Sequence, residues 1–333
     1  MQMNTKGIPM KPHFLRALLA ACALAFSSQA PAQDKDWPQH PVKIVVPFQA
    51  GSATDLISRQ LGAALSAELG QPFVIEARPG AAAAIGSAAV ARSEPDGYTL
   101  LMGGPAVLVT NRFLQKRLAY DPDKFALVSM VAVTPNILLT NPSQPFKTLP
   151  EMVAYAKANP GKLTYASFGT GTTSHMAGEM LKSVAGIDIL HIPYKGAGEA
   201  IPALLSGQVS MYFDTIMTGL PQAKSGNLIA LGMSNARRSA LAPQIPTIAE
   251  QGFEGYDIAL WYGLAAPEGT PPAVLDTLNR AVNKVLADPG LRDKLAEAGA
   301  EPQGGSRESF AAFVKSEIPR TQKLIEQAGV TAQ

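Results

Sequence analysis

Cysteine and charged residues are scarce in this sequence of 333 residues. The single cysteine, Cys22, has no partner for an internal disulfide, which excludes a disulfide-bonded scaffold. Charged residues make up 16% of the chain and the formal net charge is +2, so the basic excess of nucleic-acid-binding proteins is missing. Hydrophobic residues make up 47%, a fraction typical of a chain that folds around a buried core.

The sequence also lacks the short motifs of several common enzyme classes. It contains no G-x-x-x-x-G-K-[ST] phosphate-binding loop, no G-x-S-x-G nucleophile turn and no histidine pair at metal-ligand spacing. Residues 169–171 begin like a dinucleotide-binding fingerprint, but Ser174 stands where the third glycine belongs. We therefore expect no metal and no cofactor.

The apolar run near the N-terminus, residues 17–26, is too short to span a bilayer, which takes about 20 apolar residues. Three basic residues precede this run, and an A-x-A cleavage sequence follows it at residues 30–32. These features predict that residues 1–32 are a secretion signal. Its removal takes away three positive charges and leaves a formal net charge of −1. We expect a near-neutral periplasmic protein.

Cys22 allows a less favoured alternative, in which residues 19–22 are a lipobox and Cys22 becomes a lipid-anchored N-terminus. The apolar run continues past Cys22, which favours ordinary signal cleavage. On that reading the mature chain contains no cysteine and is indifferent to an oxidising compartment.

From Val42 onward, short runs of apolar and β-branched residues alternate with helical patterns, which predicts an α/β fold with largely parallel sheets. About ten strands are too many for one sheet, so two smaller sheets are expected. Residues 126–133 and 136–140 are predicted to be separate strands. Because no low-complexity linker separates the sheets, we expect the chain to cross between two lobes near residues 133–140 and 252–262.

Two turns rich in glycine, serine and threonine each follow a predicted strand and open a predicted helix, at residues 47–55 and 167–175. Glycine lets the backbone approach a ligand closely, and a helix N-terminus presents free N–H groups to an anion. Two such turns facing each other across a cleft could grip a small diacid without an arginine or lysine. The alternative is that both are simply the well-capped turns that an α/β fold needs.

His175 and Glu179 lie four residues apart on a predicted helix and could share one face. They could be half of a metal site or an acid/base pair, in which case the chain would be an exported α/β hydrolase that uses His175. We favour an i,i+4 helix pair, because neither a third ligand nor a nucleophile is visible.

Other polar and aromatic residues near these turns have competing interpretations. For Asp55 a helix-capping role is favoured over an amine contact. Asp214, which ends a predicted strand, is equally consistent with a ligand contact and with a role in holding its loop. Lys195 is interpreted as a solvated lysine rather than a cationic contact. Trp261 and Tyr262 are expected to pack between the lobes, with ligand stacking as the minor alternative.

The chain resembles the Bug family of periplasmic solute-binding receptors, the TctC-like receptors of tripartite tricarboxylate transporters. The resemblance covers residues 38 to about 325 and rests on motifs that are weak singly and specific together. They include Gly51 with Thr54-Asp55, Arg78-Pro79-Gly80-Ala81, Pro95-Asp96-Gly97-Tyr98, Gly169 and Gly171 with Ser174-His175, Pro193-Tyr194-Lys195-Gly196, and Phe213-Asp214.

This resemblance implies a two-lobed Venus-flytrap fold, with a β-sheet flanked by helices in each lobe, and no catalysis. It assigns residues 33–133 and 253–333 to lobe 1 and residues 134–252 to lobe 2. Family receptors hold carboxylates mostly through backbone amides, hydroxyls and ordered waters. Carried over by position, the ligand contacts are Phe48, Gly51, Ser52 and Thr54 in lobe 1, and Ser167, Gly169, Thr170, Gly171, Thr172, Thr173, Ser174 and Asp214 in lobe 2.

The sequence departs from the family pattern at three places. Ser52 follows Gly51 where the family has a second glycine, residues 82–84 are alanines where it has a Gly-Gly-Asn-like stretch, and Thr215 replaces a common asparagine. Residues 78–81 are expected to wall the cleft, so the alanines beside them favour a ligand with an apolar middle, such as an aliphatic or aromatic dicarboxylate.

The implied partners are a small carboxylate and, transiently, the membrane subunits of a tripartite tricarboxylate transporter. We expect a monomer with no nucleic-acid partner. A receptor that presents its closed form to a membrane sensor kinase would use the same cleft, so the sequence leaves this alternative open.

Overall fold

The computed structural model describes residues 2, 37–330 and 332. The predicted secretion signal, apart from residue 2, and the lipid-anchor alternative at Cys22 lie outside these residues. The chain divides into two units, Met1–Gln39 and His40–Gln333, and the fold described below is that of the second unit.

Ten strands form one mixed sheet in the order β2-β1-β3-β9-β4-β7-β5-β6, with β8 and β10 also paired to β4. The strands are β1 (Val42–Val46), β2 (Phe73–Ala77), β3 (Thr99–Gly103), β4 (Phe125–Thr140), β5 (Thr164–Ser167), β6 (Leu190–Pro193), β7 (Met211–Thr215), β8 (Ile229–Met233), β9 (Ala259–Pro267) and β10 (Glu301–Pro302).

Strand β4 joins two halves of this sheet. Its residues 125–135 pair with β9, and its residues 136–140 pair with β7 and β8. We call β1, β2, β3, β9, β10 and residues 125–135 the first half-sheet, and β5 to β8 with residues 136–140 the second half-sheet. The predicted division into two lobes has the same order along the chain but stays a prediction.

The prediction of separate strands at residues 126–133 and 136–140 is wrong, because β4 runs unbroken through both. Pro135 interrupts the sequence pattern of a strand, since proline cannot donate to the ladder. The strand tolerates Pro135 because its partners change there from β9 to the strands of the second half-sheet. Asn136 N, for example, donates at 2.8 Å to the Oγ of Ser234, which directly follows β8.

The α/β class is confirmed, while the expectation of largely parallel sheets holds only in part of each half. Strand β1 is parallel to β2 and β3, and β5 is parallel to β6 and β7. Every described pairing of β4 and β9 is antiparallel. These two long strands therefore make the sheet mixed.

Helices cover the sheet. They are α1 (Ala53–Leu69), α2 (Ala84–Ala91), α3 (Asn111–Leu114), α4 (Leu149–Ala158), α5 (Thr173–Ala185), α6 (Ala197–Leu205), α7 (Ile216–Lys224), α8 (Pro272–Leu286), α9 (Pro289–Glu297) and α10 (Arg307–Gln327). A π-helical turn, Ala106–Thr110, precedes α3, and short 3-10 turns occur at Pro122–Lys124 and Ala249–Gln251. Among the residues described, no helix is long and apolar enough to cross a membrane.

Helix α10 belongs to both halves of the core. Phe310 and Val314 are buried with Trp261 against the first half-sheet. Near the C-terminal end of the same helix, Leu324 and Ile325 are buried in the core of the second half-sheet. The C-terminal helix is therefore a further physical link between the halves, in addition to β4 and the segment that leads into β9.

Candidate functional site

A cavity of about 530 Å³ lies where the two half-sheets meet. Residues that follow β1, β3 and β5 line it, together with residues 258–262 and the middle of α10. Its apolar lining includes Phe48, Pro105 and Trp261. Because ligands of α/β proteins bind beyond the carboxyl ends of strands, this cavity is the candidate site.

The first strand–helix turn is organised around Gly51 and the N-terminus of α1. Gly51 adopts a φ of 82°, a left-handed conformation that glycine allows at no steric cost. Ser52 is the N-cap, and its Oγ accepts from Asp55 N at 3.3 Å. Asp55 Oδ2 accepts from Gly51 N and from Arg59 Nε, each at 2.9 Å. Asp55 thus fixes the turn, which agrees with the capping interpretation.

The second strand–helix turn repeats this geometry at the N-terminus of α5. Gly171 has a φ of 81°, and Thr172 is the N-cap, whose Oγ1 accepts from His175 N at 3.3 Å. His175 Nδ1 accepts from Gly171 N at 3.1 Å. The imidazole therefore carries its proton on Nε2, which lies 3.8 Å from Glu179 Oε1.

Burial keeps His175 neutral. Burial, together with the charges of His191 and Lys182, lowers the pKa of His175 to about 3. The two imidazole rings stack with centroids 3.9 Å apart. Glu179 is held by Tyr165 Oη at 2.7 Å and by Lys182 Nζ at 2.9 Å. The favoured helix-pair interpretation of His175 and Glu179 fits these contacts, and among the described residues no group of three could hold a metal ion.

A serine–histidine contact also lies behind this turn. Ser167 Oγ and His191 Nε2 are 2.6 Å apart, and Ser167 Oγ accepts from Gly169 N at 3.0 Å. Ser167 is fully buried and does not line the cavity. Within the loop, this contact and the bond from Gly169 N hold the residues that precede α5.

Seven of the twelve predicted contact residues line the cavity. These are Phe48, Ser52, Thr54, Gly171, Thr172, Thr173 and Ser174. The other five do not: Gly51, Ser167 and Gly169 shape the turns, Thr170 is exposed, and Asp214 is buried behind the site. The assignment of these residues as ligand contacts stays a prediction.

Asp214 is a buried carboxyl group with one free oxygen. Its Oδ1 accepts from Thr215 N at 2.8 Å and from Thr218 Oγ1 at 2.7 Å, while Oδ2 has no partner among the described residues. Burial raises the pKa of Asp214 to about 6, although Thr218, Thr215 N and Tyr212 each oppose the rise. Of the two roles that the sequence left open, the contacts support the one within the loop.

Sequence reasoning missed residues from three elements of the lining. One group lies at the end of β3: Gly103 is its last residue, and Gly104 and Pro105 follow. The Gly-Gly-Pro sequence after the predicted strand could have signalled it. Asn136 enters from β4 at the point where the strand changes partners. Glu317, Arg320 and Thr321 come from α10, and no local motif marks them.

Three buried donors in the lining have no partner among the described residues: Asn136 Nδ2, Trp261 Nε1 and Tyr262 Oη. An unpaired buried donor costs about 1–3 kcal/mol, so a polar occupant of the cavity would stabilise this arrangement. Trp261 also packs edge-on against Phe310 and Phe313, which agrees with the expected packing role.

Two cationic side chains reach the cavity. Lys195 is exposed, and its backbone N donates to Glu199 Oε2 at 3.3 Å. Arg320 Nη1 donates to Glu317 Oε1 at 2.8 Å. Burial raises the pKa of Glu317; the charge of Arg320 opposes this rise and that of Asp257 adds to it.

The turn at residues 78–84 does not contribute to the cavity lining. Ala81, Ala82 and Ala83 all have positive φ, at 47°, 49° and 75°. Asn111 Nδ2 donates to Ala82 O at 2.8 Å and Gln115 Nε2 to Ala81 O at 3.2 Å, and both bonds hold the turn from the side. The apolar character of the cavity therefore comes from its own lining and not from these alanines.

Comparison with known proteins identifies close relatives along nearly the whole chain. The family described as "Tripartite tricarboxylate transporter family receptor" matches residues 57–330. A UPF0065 protein of Pseudomonas sp. strain P51 is 36% identical over 321 residues, which are 95% of each chain. BugT of Bordetella pertussis is 34% identical over 302 residues, 90% of this chain and 93% of BugT.

Solved structures of similar fold include Rpa4515 of R. palustris with adipate, with a TM-score of 0.76, 35% identity and coverage of 90% of this chain and 100% of that one. The periplasmic binding protein BugD has a TM-score of 0.72 and 34% identity, with coverage of 89% and 100%. MatC of Rhodopseudomonas palustris with malate has a TM-score of 0.70 and 32% identity, with coverage of 87% and 100%. The binding-protein fold predicted from the sequence is confirmed.

Proposed function

Since the chain belongs to the tripartite tricarboxylate transporter receptor family, we propose that it captures a small carboxylate in the cavity between its half-sheets. The observation that carries this proposal is the pair of matching turns, which bring the N-termini of α1 and α5 to one cavity. The receptor then delivers its ligand to the membrane subunits of such a transporter. Receptors of this family bind solutes, and periplasmic binding proteins such as BugD are among its structures.

The chemistry of the turns suits an anion. The first N–H groups of a helix have no partner within the helix, and together they carry about half a positive charge. The hydroxyls of Ser52, Thr54 and Thr173 lie at the same cavity. A carboxylate bound there accepts several hydrogen bonds without the desolvation of a fixed counter-charge.

The middle of the cavity suits an apolar ligand body. Phe48, Pro105, Ile258, Leu260 and Trp261 contribute apolar lining. Adipate is bound by Rpa4515, and malate by MatC. By analogy with the first of these we propose an aliphatic or aromatic dicarboxylate for this chain.

Closure of two lobes around the ligand completes the proposal. The lobes are residues 33–133 with 253–333, and residues 134–252, joined by β4, by the segment before β9 and by α10. Ligand contacts made only in the closed state would stabilise it. We place this receptor in the periplasm, exported by the secretion signal at residues 1–32.

A thermal-shift screen of the refolded, ligand-free mature protein tests the carboxylate proposal. About a hundred small mono- and dicarboxylates are compared with sugars, amines and other neutral or cationic controls. An acid at ~100 times its dissociation constant adds about 2.7 kcal/mol of stability and raises Tm by several degrees. Shifts with one group of carboxylates are expected; shifts with sugars or cations alone would refute the proposal.

A proline substitution tests the role of the helix N-terminus. Ala53 is the first residue of α1 and lines the cavity, and the extended Ser52 before it has a ψ of 161°. Proline fits this position and removes only its N–H, so Ala53→Pro should weaken carboxylate binding by about tenfold while the ligand-free Tm stays nearly unchanged. Ala53→Gly keeps the N–H and serves as the control. Equal affinity of the two variants would speak against backbone recognition.

A further inference from the structure

The polar lining of the cavity has two parts that come from different elements. One part is the pair of turns at the N-termini of α1 and α5. The other is the middle of α10, where Glu317, Arg320 and Thr321 reach the cavity. No motif in the sequence pointed to α10, and the carboxylate site at the turns does not use it.

Packing on both sides holds this part of α10 in place. Phe310 and Phe313 pack edge-on against Trp261, with centroid distances of 5.9 and 5.5 Å. Further along the helix, Leu324 is buried in the same core cluster as Ile258. Arg320 lies between these anchors on the helix and lines the same cavity as the apolar residues 258–261.

Arg320 has hydrogen-bonding capacity left over. A guanidinium group carries five N–H donors in a planar fork, and the described contacts of Arg320 occupy one, through Nη1 to Glu317 Oε1. Its side chain is 32% exposed and that of Glu317 is 15% exposed. The remaining donors can bind a planar acceptor such as a carboxylate in the bidentate manner that arginine favours.

We propose that Arg320 determines the specificity of this receptor for dicarboxylates, by binding the second carboxylate of a ligand whose first carboxylate lies at the helix N-termini. Glu317 orients the guanidinium through one N–H and offsets part of its charge. The apolar residues 258–261 lie along the hydrocarbon body of the ligand. This inference rests on the proposed function, and it adds the residue that separates a diacid from a monoacid of equal length.

Isothermal titration calorimetry with matched acids tests this assignment. Adipate is compared with hexanoate, and terephthalate with benzoate, in the wild type and in Arg320→Met. We expect the wild type to prefer the diacid of a pair, and Arg320→Met to lose about 10- to 100-fold in diacid affinity while monoacid affinity changes less than about threefold.

Two further variants separate a ligand contact from a structural role. Glu317→Gln keeps Arg320 and removes the offsetting charge, so it should tighten diacid binding several-fold and leave monoacid binding unchanged. A residue that merely supports the fold would not produce a gain. Lys195→Met removes the other cationic side chain of the lining. We expect it to change the affinities for the diacid and the monoacid of a pair by the same factor. The ligand-free Tm of each variant is measured alongside.

The possible results lead to distinct conclusions. Equal binding of diacid and monoacid by the wild type, or an unchanged preference in Arg320→Met, overturns the inference and leaves the carboxylate proposal intact. Loss of the preference in Lys195→Met instead of Arg320→Met also overturns it. If Arg320→Met does not fold, Glu317→Gln decides alone, and an unaltered diacid affinity there counts against the assignment. If no acid of the screen binds, the proposed function itself fails.

Discussion

The two turns at the cavity have the same backbone geometry and different side-chain supports. Gly51 and Gly171 have φ values of 82° and 81°, and the N-caps Ser52 and Thr172 have ψ values of 161° and 160°. In each turn the residue four positions after the glycine accepts its N–H, but that residue is Asp55 in the first turn and His175 in the second.

The surroundings explain why two different acceptors serve the same geometry. Asp55 is itself buried, with its side chain 2% exposed, but it faces Arg59, whose guanidinium supplies the opposite charge. His175 lies in the core against His191, where a neutral imidazole avoids the cost of a buried charge. The same turn geometry is thus served by a carboxylate where an arginine pairs with it and by a neutral imidazole where a second histidine stacks on it.

The largest expected difference between the turns is in stability. His175→Ala removes a buried ring and leaves Gly171 N without its acceptor, while Glu179 keeps its contacts with Tyr165 and Lys182. The free energy of unfolding should therefore fall by about 2–4 kcal/mol. Asp55→Ala removes a smaller side chain, with its bonds from Gly51 N and from the exposed Arg59, and should cost about 1 kcal/mol. Urea unfolding at pH 7 measures both values.

A third variant sharpens this comparison. The side-chain oxygen of asparagine can take the place of Nδ1, so His175→Asn should keep the bond from Gly171 N and recover about 1 kcal/mol of the loss. Equal costs for His175→Ala and Asp55→Ala would contradict the view that loss of the larger, stacked imidazole ring makes the second turn the more sensitive of the two.

Asp55 and Asp214 extend the comparison to acidic groups, because their pKa values shift in opposite directions. Burial raises the pKa of Asp55, but the hydrogen bonds from Arg59 and Gly51 N and the charge of Arg59 outweigh it and lower the pKa below 3.8. The stability that Asp55 contributes is therefore present above pH 3.8 and lost as pH falls through its lowered pKa. Asp214 has its pKa raised from 3.8 to about 6, so its contribution to stability is lost as pH rises and not as pH falls.

Asp214→Asn should therefore stabilise the protein at neutral pH. Between pH 3.8 and about 6 the folded chain holds a proton on Asp214 that the unfolded chain has lost, so stability declines as pH rises through this window. The total is about 3 kcal/mol for a shift of this size. Asparagine keeps Oδ1 for Thr215 N and Thr218 and carries no charge, so the variant should gain about 2–3 kcal/mol at pH 8 and little at pH 4.

Urea unfolding of the wild type and of Asp214→Asn from pH 4 to pH 8 checks the sign of the predicted stability difference. A variant that is less stable than the wild type at pH 8 would mean that the ionised carboxylate is needed to hold its loop. Thr218→Val is a useful companion, because it removes a hydrogen bond to Oδ1 and leaves the charge in place.

Local chemistry explains which parts of the fold and site could be predicted. The glycine followed by a hydroxyl N-cap marks both turns, because only glycine adopts positive φ without strain and hydroxyls cap helices. The alternation of strands and helices likewise identified the α/β class. Seven predicted residues meet at the cavity because these signals are short-range and each is complete within a few residues.

The remaining features depend on contacts between distant parts of the chain. β4 continues through Pro135 with the help of partners distant in sequence, Thr215 and Ser234, which both pair with Asn136, and no local pattern encodes these contacts. The approach of α10 to the cavity is set by Trp261 and Ile258 on another element. Periodicity places such a helix on the surface of a sheet, but it does not say which turn of the helix meets a cavity.

The turn at residues 81–83 is the counter-example to the two glycine turns, and it gives the smallest expected effect. Ala81 and Ala82 hold positive φ with a Cβ that makes this conformation costly by about 1–2 kcal/mol for an L-residue, and both are exposed. Ala82→Gly should therefore raise the free energy of unfolding by about 0.5–1 kcal/mol, because the relief of strain exceeds the extra entropy of the unfolded glycine.

Ala63→Gly, at an exposed position within α1, is the matched control and should lower stability by about 1 kcal/mol, since glycine is unfavourable in a helix. Thermal and urea unfolding of the two variants compare the same substitution at opposite signs of φ. If both variants were destabilised equally, the left-handed alanines would not be strained in solution. If Ala82→Gly stabilises the protein while Ala63→Gly destabilises it, this turn, unlike those at Gly51 and Gly171, stores strain that a glycine removes.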